Sequence, residues 1–329
     1  GYSQLDFLQK FNFKINEKQN VIFNIQHSKS SDIYRYDKLN EYSSDQNLKY
    51  ANWKYGPQER TMFSTSYNFI SNESFFDRGN LILTFQDIDE SRHNRRFQSL
   101  QINNQHENVK VYSLNSDFFK QISENSSVSY GYEFTHNKVK SRAFGVSLKR
   151  KDESLSNFKD LVYIEIPTRY PSGGGNYSTS AGYFDYRKSL SIKSNINLGL
   201  RYTYTWLNAR WNEEALIDAN LNYIKSNNES FTGSVGYVYR FEKNWQISTN
   251  FSSGFRSPNI DDIGKIRENK GVLSVPNQSL KPEYAYNSEI SLSKFSQDKK
   301  NIFSINLYYT HINNHILRNN YSISNDLST

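Results

Sequence analysis

The segment WQISTNFSSGF, residues 245–255, alternates between two kinds of side chain and so restricts the folds open to this chain. Trp245, Ile247, Phe251 and Phe255 share one parity, and the residues of the other parity are small and polar. A period of two with one apolar and one polar face predicts a β-strand that separates two different solvents. A tilted strand needs about 9–11 residues to cross a bilayer, which this segment supplies.

Composition is compatible with such a strand repeated many times. Only 36% of the residues are apolar, although the chain has 25 Tyr and 22 Phe. Many aromatic residues with few aliphatic ones are typical of a thin outer apolar band bounded by aromatic girdles. A soluble β-protein that uses Tyr as its main hydrophobe has the same composition, so strand length must decide between the two classes.

Similar alternating segments occur in pairs along the whole chain, each pair joined by a short turn. The predicted pairs are residues 5–15 with 21–27, 61–70 with 80–86, 109–119 with 128–135, 181–190 with 195–206, 231–241 with 245–255, and 284–295 with 302–312. Long polar segments separate the pairs. About twelve strands with alternating short turns and long loops are typical of outer-membrane barrels, whereas soluble sandwiches have shorter strands. We predict an all-β fold, a transmembrane antiparallel β-barrel domain spanning residues 1–329 with long extracellular loops.

Two motifs add a family resemblance. FRSPN (residues 255–259) followed by SLKPE (279–283) resembles the FRxPN…LKPE pair of TonB-dependent outer-membrane receptors. The segments GLRYTYTW, GYVYRFEKNWQIS and INLYYTHINNHI, together with PTRYPSGGGNYSTSAGYFDY, are similar to the family's neighbouring strands and follow its order. The resemblance implies a barrel of about 22 strands with an N-terminal plug. Neither a plug nor a final aromatic-ended strand is recognisable, so we expect a middle section of such a receptor.

The resemblance also implies a function. It predicts a receptor in the outer membrane of a Gram-negative bacterium that takes up a ferric siderophore or similar scarce nutrient through a plugged barrel. The implied partners are outer-membrane lipid and lipopolysaccharide, the TonB complex acting through an unseen plug, the nutrient at the extracellular face, and a surface lipoprotein or other subunits. A passive porin and a non-transporting adhesin or assembly component remain alternatives. Haem-uptake members carry a His between the two motifs, and residues 256–283 contain none.

Several classes of protein are disfavoured. HExxH, GxSxG, GxGxxG and Walker-type motifs are absent, so we predict no enzyme and no cofactor. There is no cysteine, hence no disulfide or thiolate metal site. The net charge of +7 comes from Lys and Arg scattered through turns and loops, which favours solvation and attraction to anionic headgroups over nucleic-acid binding. The glycines at 173–175 are not followed by a Lys-Ser/Thr helix and are interpreted as a loop tip.

Candidate ligand-binding residues lie in the predicted loops. The densest basic cluster is Arg92, His93, Arg95 and Arg96, with Asn94 between them. As an extracellular loop tip it is expected either to attract an anionic ligand, such as a ferric siderophore or lipopolysaccharide phosphate, or to be simply solvated. The loop aromatics are candidates for a ligand mouth, with girdle and loop-packing roles as alternatives: Tyr170, Tyr177, Trp206 and Trp211.

Two further groups of residues have distinct expected roles. Asp87 and Asp89, with Glu90, are candidates for oxygen ligation of Ca²⁺. The residues that carry the family resemblance are expected to hold the geometry of one loop rather than to contact ligand: Phe255, Arg256, Pro258, Leu280, Lys281, Pro282 and Glu283.

Overall fold

A computed structural model describes residues 1–43, 45–71, 75–147, 162–212, 223–263, 267–269, 272–274, 277, 279–298 and 300–317. Twelve long strands dominate this part of the chain. They are β1 (Gln4–Asn16), β2 (Gln19–Ser30), β3 (Glu59–Ile70), β4 (Arg78–Arg96), β5 (Gln101–Ser123), β6 (Ser126–Ser147), β7 (Gly175–Ser191), β8 (Ser194–Arg210), β9 (Tyr223–Arg240), β10 (Trp245–Arg256), β11 (Glu283–Phe295) and β12 (Ile302–Asn313).

Each long strand pairs antiparallel with its neighbours in chain order, which gives one continuous meander from β1 to β12. Every predicted strand pair is present, and the predicted all-β, antiparallel architecture is confirmed. The short strands Ile33–Tyr34, Tyr50–Tyr55 and Val162–Glu165 extend the sheet at the loop end, the end opposite the short turns. Within the described residues, β1 pairs only with β2 and β12 only with β11.

The strands β4 to β6 are longer than their sequence pattern predicts. A long loop was expected between residues 86 and 109, whereas β4 and β5 continue as a paired hairpin that turns at residues 97–100. The prediction that Arg92 to Arg96 form a loop tip is therefore wrong, because these residues lie within β4. Beyond the bilayer both faces of a strand meet water, so no apolar alternation marks the extension.

Helices are few and short in the described part of the chain: Tyr36–Leu39, Ile260–Ile263 and the 3₁₀ turn Glu242–Asn244. None of the helices described is long and apolar enough to span a membrane.

The two faces of the sheet differ as the alternation predicts. On the outward face, Phe63, Phe85 and Tyr112 are register partners across β3, β4 and β5, and the last two rings lie 5.1 Å apart. Apolar side chains on this face remain exposed, for example Leu200 at 50% and Phe231 at 64%. Large exposed apolar surfaces are unfavourable in water and favourable against lipid. The inward face is polar by contrast.

Inward side chains satisfy one another through hydrogen bonds and ion pairs. Arg201 on β8 donates from Nη2 to Glu133 on β6 at 2.5 Å. Asn197 donates to Asp185 at 3.1 Å, across the β7–β8 pair. Small residues such as Thr203 fill the spaces between these larger groups. The inward face therefore suits a hydrated or plugged lumen.

Candidate functional site

A buried apolar cluster closes the inward side of β7 to β9 at the loop end. It consists of Leu207, Ala209, Trp211, Ile224 and Ile263. Tyr177, Ile260 and Leu280 pack against it. Because Ile263 and Leu280 come from the segment between β10 and β11, that segment folds back over the lumen. We call this cluster the loop cap.

The FRSPN motif fixes the start of the segment over the loop cap. Arg256 Nη2 donates to both carboxylate oxygens of Asp262, each at 2.7 Å. The Asn259 side-chain oxygen accepts from the backbone N–H of Asp261 at 2.8 Å, which caps the short helix Ile260–Ile263. Ser257 accepts from Asn228 of β9 at 3.1 Å. These contacts tie the motif to the short helix and to β9, and its purely structural role stays a prediction.

The second motif anchors the return of the segment to β11. Leu280 packs on the loop cap, and Pro258 of the first motif is fully buried. Glu283 opens β11 opposite Arg256 and accepts from the backbone N–H of Ile316 at 2.9 Å. Phe255 lies over Tyr284 with ring centroids 6.3 Å apart. Lys281 is exposed, and the Pro282 carbonyl accepts from Asn314 at 3.3 Å.

A charged network lies on the inward side of β4 beside the loop cap. Glu90 Oε1 accepts from Arg92 at 2.7 Å and from Arg169 at 3.2 Å. The Arg169 guanidinium lies 5.1 Å from the centre of the Tyr170 ring. The Tyr170 hydroxyl in turn contacts Asp261 of the short helix. The network therefore links three segments that are remote in sequence.

Tyr170 is half-buried within this network. Burial raises the pKa of its phenol to about 12, with Asp261 adding to the shift and Arg169 opposing it. Tyr170 therefore stays neutral at physiological pH. It offers a hydroxyl and a ring face next to a guanidinium, a combination that can bind a polar ligand with a delocalised or anionic group.

The remaining basic residues of β4 do not form one patch. Arg92 and Arg96 share the inward parity, whereas His93 and Arg95 face the other side. His93 Nδ1 lies 2.7 Å from Asn104 Oδ1, and Arg95 donates to the Ser99 carbonyl at 3.0 Å. Arg92 of this group joins the Glu90 network, whereas His93 and Arg95 lie on the opposite face. Residues 92–96 were not recognised in the sequence as part of a strand. Because side chains alternate between the two faces of a strand, the predicted basic cluster is divided between them.

The other candidates take separate positions. Trp211 belongs to the loop cap and Tyr177 packs against it, whereas Trp206 lies on the outward face of β8. Asp87 accepts from Asn108 at 2.7 Å and pairs with Lys110 at 3.2 Å, and Asn108 also donates to Asp89. The Lys110 ammonium group lies so close to Asp87 that its positive charge disfavours a Ca²⁺ ion at Asp87 and Asp89. Across the described part of the chain, no group of three His, Asp or Glu side chains could hold a metal ion.

A cation–aromatic cluster in the β2–β3 connection was not predicted. The Arg35 guanidinium lies 5.2 Å from the Trp53 ring centre and 5.5 Å from that of Tyr55. Its hydrogen bonds lower the pKa of Asp37 to about 2. Tyr55 also lies 5.5 Å from the Arg92 guanidinium, so this cluster borders the Glu90 network. The aromatic residues Trp53 and Tyr55 in the β2–β3 connection were the only sequence signal for this cation–aromatic cluster.

Comparisons with known proteins agree with this architecture. A family model described as "TonB dependent receptor-like, beta-barrel" matches residues 3–328. No curated protein matches the sequence.

Among solved structures, the chain is similar to the copper transporter OprC, with 10% identity, a TM-score of 0.68 and coverage of 94% of this chain and 45% of OprC. It is similar to a double mutant of the Serratia marcescens hemophore receptor HasR, solved with its hemophore HasA and heme, at 11% identity and a TM-score of 0.66, covering 95% of this chain and 46% of HasR. It is also similar to the ferric yersiniabactin uptake receptor FyuA from Yersinia pestis. The identity is 14% and the TM-score 0.61, and the match covers 94% of this chain and 45% of FyuA. The chain therefore spans about half the length of these proteins.

Proposed function

Because the chain belongs to the TonB-dependent receptor-like β-barrel family, whose members are non-enzymatic proteins of the Gram-negative outer membrane, we propose that it forms the wall and ligand mouth of a nutrient uptake receptor. The nutrient is a ferric siderophore or a similar anionic chelate too scarce for passive diffusion. Similar solved proteins are described as a copper transporter, a hemophore receptor and a ferric yersiniabactin uptake receptor.

The observation that carries this proposal is the Glu90 network. Two guanidinium groups, from Arg92 and Arg169, share one carboxylate oxygen of Glu90. Each guanidinium has five N–H donors, so both retain donors for a second, anionic acceptor. Tyr170 adds a neutral hydroxyl and an aromatic face beside them. Such a group at the inward loop end is suited to hold an anionic chelate above the lumen.

The rest of the receptor completes the proposal. Within the described residues, the outer edges of β1 and β12 are unpaired. Unpaired backbone N–H and C=O groups in hydrocarbon cost several kcal/mol each, as an order of magnitude, so a lipid-embedded sheet must close on itself. We infer that further strands join these edges and that a plug fills the polar lumen. The plug would transmit work from the TonB complex.

A passive porin fits the inward face less well. Porin selectivity commonly uses rows of like charges along the lumen. Here the inward face carries charges of both signs, for example in the Arg201–Glu133 pair, and many of its other residues are Ser, Asn, Thr and Gly. A non-transporting adhesin or assembly component remains the second candidate, with the same barrel and no need for energy.

Uptake assays on the intact receptor test the proposal. The gene that encodes this chain would be deleted, and growth under iron limitation measured with a panel of purified ferric siderophores, with and without functional TonB. We expect loss of growth on one chelate, restoration by the intact gene, and no restoration without TonB. Uptake that persists without TonB would indicate a porin, and unchanged growth on every chelate would favour the adhesin or assembly role.

A further inference from the structure

A buried carboxylate, Glu107, lies behind the Glu90 network. Glu107 on β5 is the register partner of Glu90 on β4, so both side chains are on the inward face. Glu107 is only 4% exposed, and its Oε1 accepts from the Ser141 hydroxyl of β6 at 3.5 Å. The Ser141 hydroxyl oxygen also accepts from the backbone N–H of Tyr170 at 3.4 Å. Glu107 therefore supports the segment that carries Arg169 and Tyr170.

The charged groups that face Glu107 come from β4, from the segment before β7 and from the short helix Ile260–Ile263. Burial raises the pKa of the Tyr170 phenol, and Asp261 and Glu107 add to the shift, so both carboxylates lie close to this phenol. The facing groups are two guanidinium groups and two further carboxylates: Arg92, Arg169, Glu90 and Asp261. Before any ligand binds, three carboxylates therefore share two guanidinium groups.

The described residues around this group leave the excess of carboxylate in place. On β6 the register partner of Glu107 is the uncharged Ser141. The basic residues of β6 at this level lie on the outward face: Lys140 and Arg142. One row nearer the turn end, Arg60 of β3 and Asp6 of β1 add one charge of each sign. The neighbouring ion pairs carry no net charge: Arg256 with Asp262, and Arg35 with Asp37.

An anionic chelate would add a further negative charge to this group. Like charges repel strongly where water is excluded, so a compensating positive charge must enter with the ligand. Glu107 is too buried to be reached by an ammonium group of the ligand, whereas a proton can reach it. Burial and a facing carboxylate both favour the protonated form of a carboxyl group. Glu107 is therefore the group best placed to accept the compensating charge.

We propose that the receptor binds its nutrient together with one proton, which Glu107 takes from solution. This inference rests on the proposed function, in which an anionic chelate occupies the Glu90 network. Only an O–H bond forms, on the Glu107 carboxylate, and the proton returns to solution when the chelate leaves. With Glu107 neutral, Arg92 and Arg169 balance one carboxylate fewer, so their remaining N–H groups can be directed to the ligand. Because the complex holds one more proton than its separate partners, the affinity should fall as pH rises, by up to about tenfold per pH unit.

Calorimetric titration of the whole receptor in detergent tests this linkage. The probe is the ferric chelate on which growth depends, or ferric citrate where growth singles out no chelate. Titrations in buffers with different ionisation enthalpies give the number of protons bound per chelate, from about pH 5 to about pH 8, where most proteins stay folded. The unmodified receptor is compared with Glu107→Gln, which removes the titrating carboxyl group and keeps a side-chain oxygen for Ser141.

Two further variants are controls. Glu59→Gln removes a carboxylate at the same end of the sheet but on the outward face, where Glu59 pairs with Lys29 at 2.8 Å. Glu107→Asp keeps a carboxyl group at the site. Protons that the chelate itself binds cancel when the variants are compared.

We expect the unmodified receptor, Glu59→Gln and Glu107→Asp each to take up about one proton more per chelate than Glu107→Gln does. Near pH 8, Glu107→Gln should bind the chelate about tenfold more tightly than the unmodified receptor, and near pH 5 the two affinities should be about equal. A purely structural role of Glu107 predicts the opposite, weaker binding by Glu107→Gln at every pH.

Equal proton uptake in the unmodified receptor and Glu107→Gln would overturn the proposal. So would stronger binding of ferrioxamine B, which carries an ammonium group, than of its N-acetyl derivative without proton uptake by Glu107, because the ligand would then supply the positive charge. Absence of binding at every pH would overturn both this proposal and the Glu90 network as a ligand site. TonB-dependent growth is measured separately, so the proton linkage can fail while the proposed function stands.

Discussion

Arg256 places one guanidinium nitrogen 2.7 Å from both carboxylate oxygens of Asp262, and this contact holds the turn that begins the segment over the lumen. The two residues belong to the end of β10 and to the short helix Ile260–Ile263. The helix carries Ile263 into the loop cap and Asp261 to Tyr170. One surface ion pair thus positions both the apolar closure and the charged network of the mouth.

Replacing Arg256 with Ala should loosen this segment locally without unfolding the sheet. The Arg256 side chain is 44% exposed, so solvent screening reduces the expected loss to about 1 kcal/mol. The rate of backbone hydrogen exchange over residues 257–263, in the detergent-solubilised receptor, measures this local loosening. Lys281→Ala is the control, because Lys281 is exposed in the same connection. Equal exchange in the two variants would contradict the structural role of the Arg256–Asp262 pair.

The loop cap should respond strongly to loss of volume. Ile263→Ala removes a side chain that is 1% exposed and should destabilise the cap by about 2–5 kcal/mol. Ile192→Ala at a turn, where the side chain is 98% exposed, should change stability by no more than about 0.5 kcal/mol. Limited proteolysis of the connection between β10 and β11 gives the comparison. Similar cleavage rates for the two variants would argue against a packed cap.

Arg169 should contribute directly to ligand affinity. Arg169→Ala removes one of the two guanidinium groups that contact Glu90. Loss of its charge-assisted hydrogen bond to the chelate should weaken binding of the transported chelate about tenfold. Arg187→Ala, at the turn end of β7, is the matched control. Binding to whole cells measured with labelled chelate gives both values. Unchanged affinity in Arg169→Ala would remove the Glu90 network from the ligand site.

The Tyr170 phenol should titrate late. Its pKa of about 12 in the folded state exceeds the ordinary value of 10.0. The unfolded chain loses the Tyr170 proton near pH 10, whereas the folded protein keeps it to about pH 12. The stability that comes from this difference between the folded and unfolded pKa is fully present below pH 10 and is lost as pH rises through about 12. The difference in absorbance at about 295 nm between the unmodified receptor and Tyr170→Phe isolates this titration. A midpoint near 10 would mean that Tyr170 is solvated.

The sequence predicted the membrane-crossing parts of the strands because each face has a different solvent there. Residues 245–255 were predicted as a strand and form β10, Trp245–Arg256. Beyond the bilayer this contrast disappears, so the extension of β4 through Arg92 was missed. The contact of Glu90 with Arg169 joins residues 79 positions apart, and no local pattern encodes it. The loop cap likewise depends on the return of Ile263 over β8 and β9.

Alternation between lipid and lumen along β8 is the central claim, and spin labelling tests it most directly. The chain contains no cysteine, so a single cysteine introduced into it can be labelled in the whole receptor reconstituted in bilayers, with the unlabelled parent receptor as the background control. The outward positions are Leu198, Leu200 and Tyr202, and the inward positions are Asn195, Asn197 and Arg201. At every outward position we expect the spin label to be highly accessible to oxygen and poorly accessible to a water-soluble nickel chelate. At every inward position we expect low accessibility to oxygen and high accessibility to the nickel chelate. Equal accessibility on both faces, or a period other than two, would contradict the account.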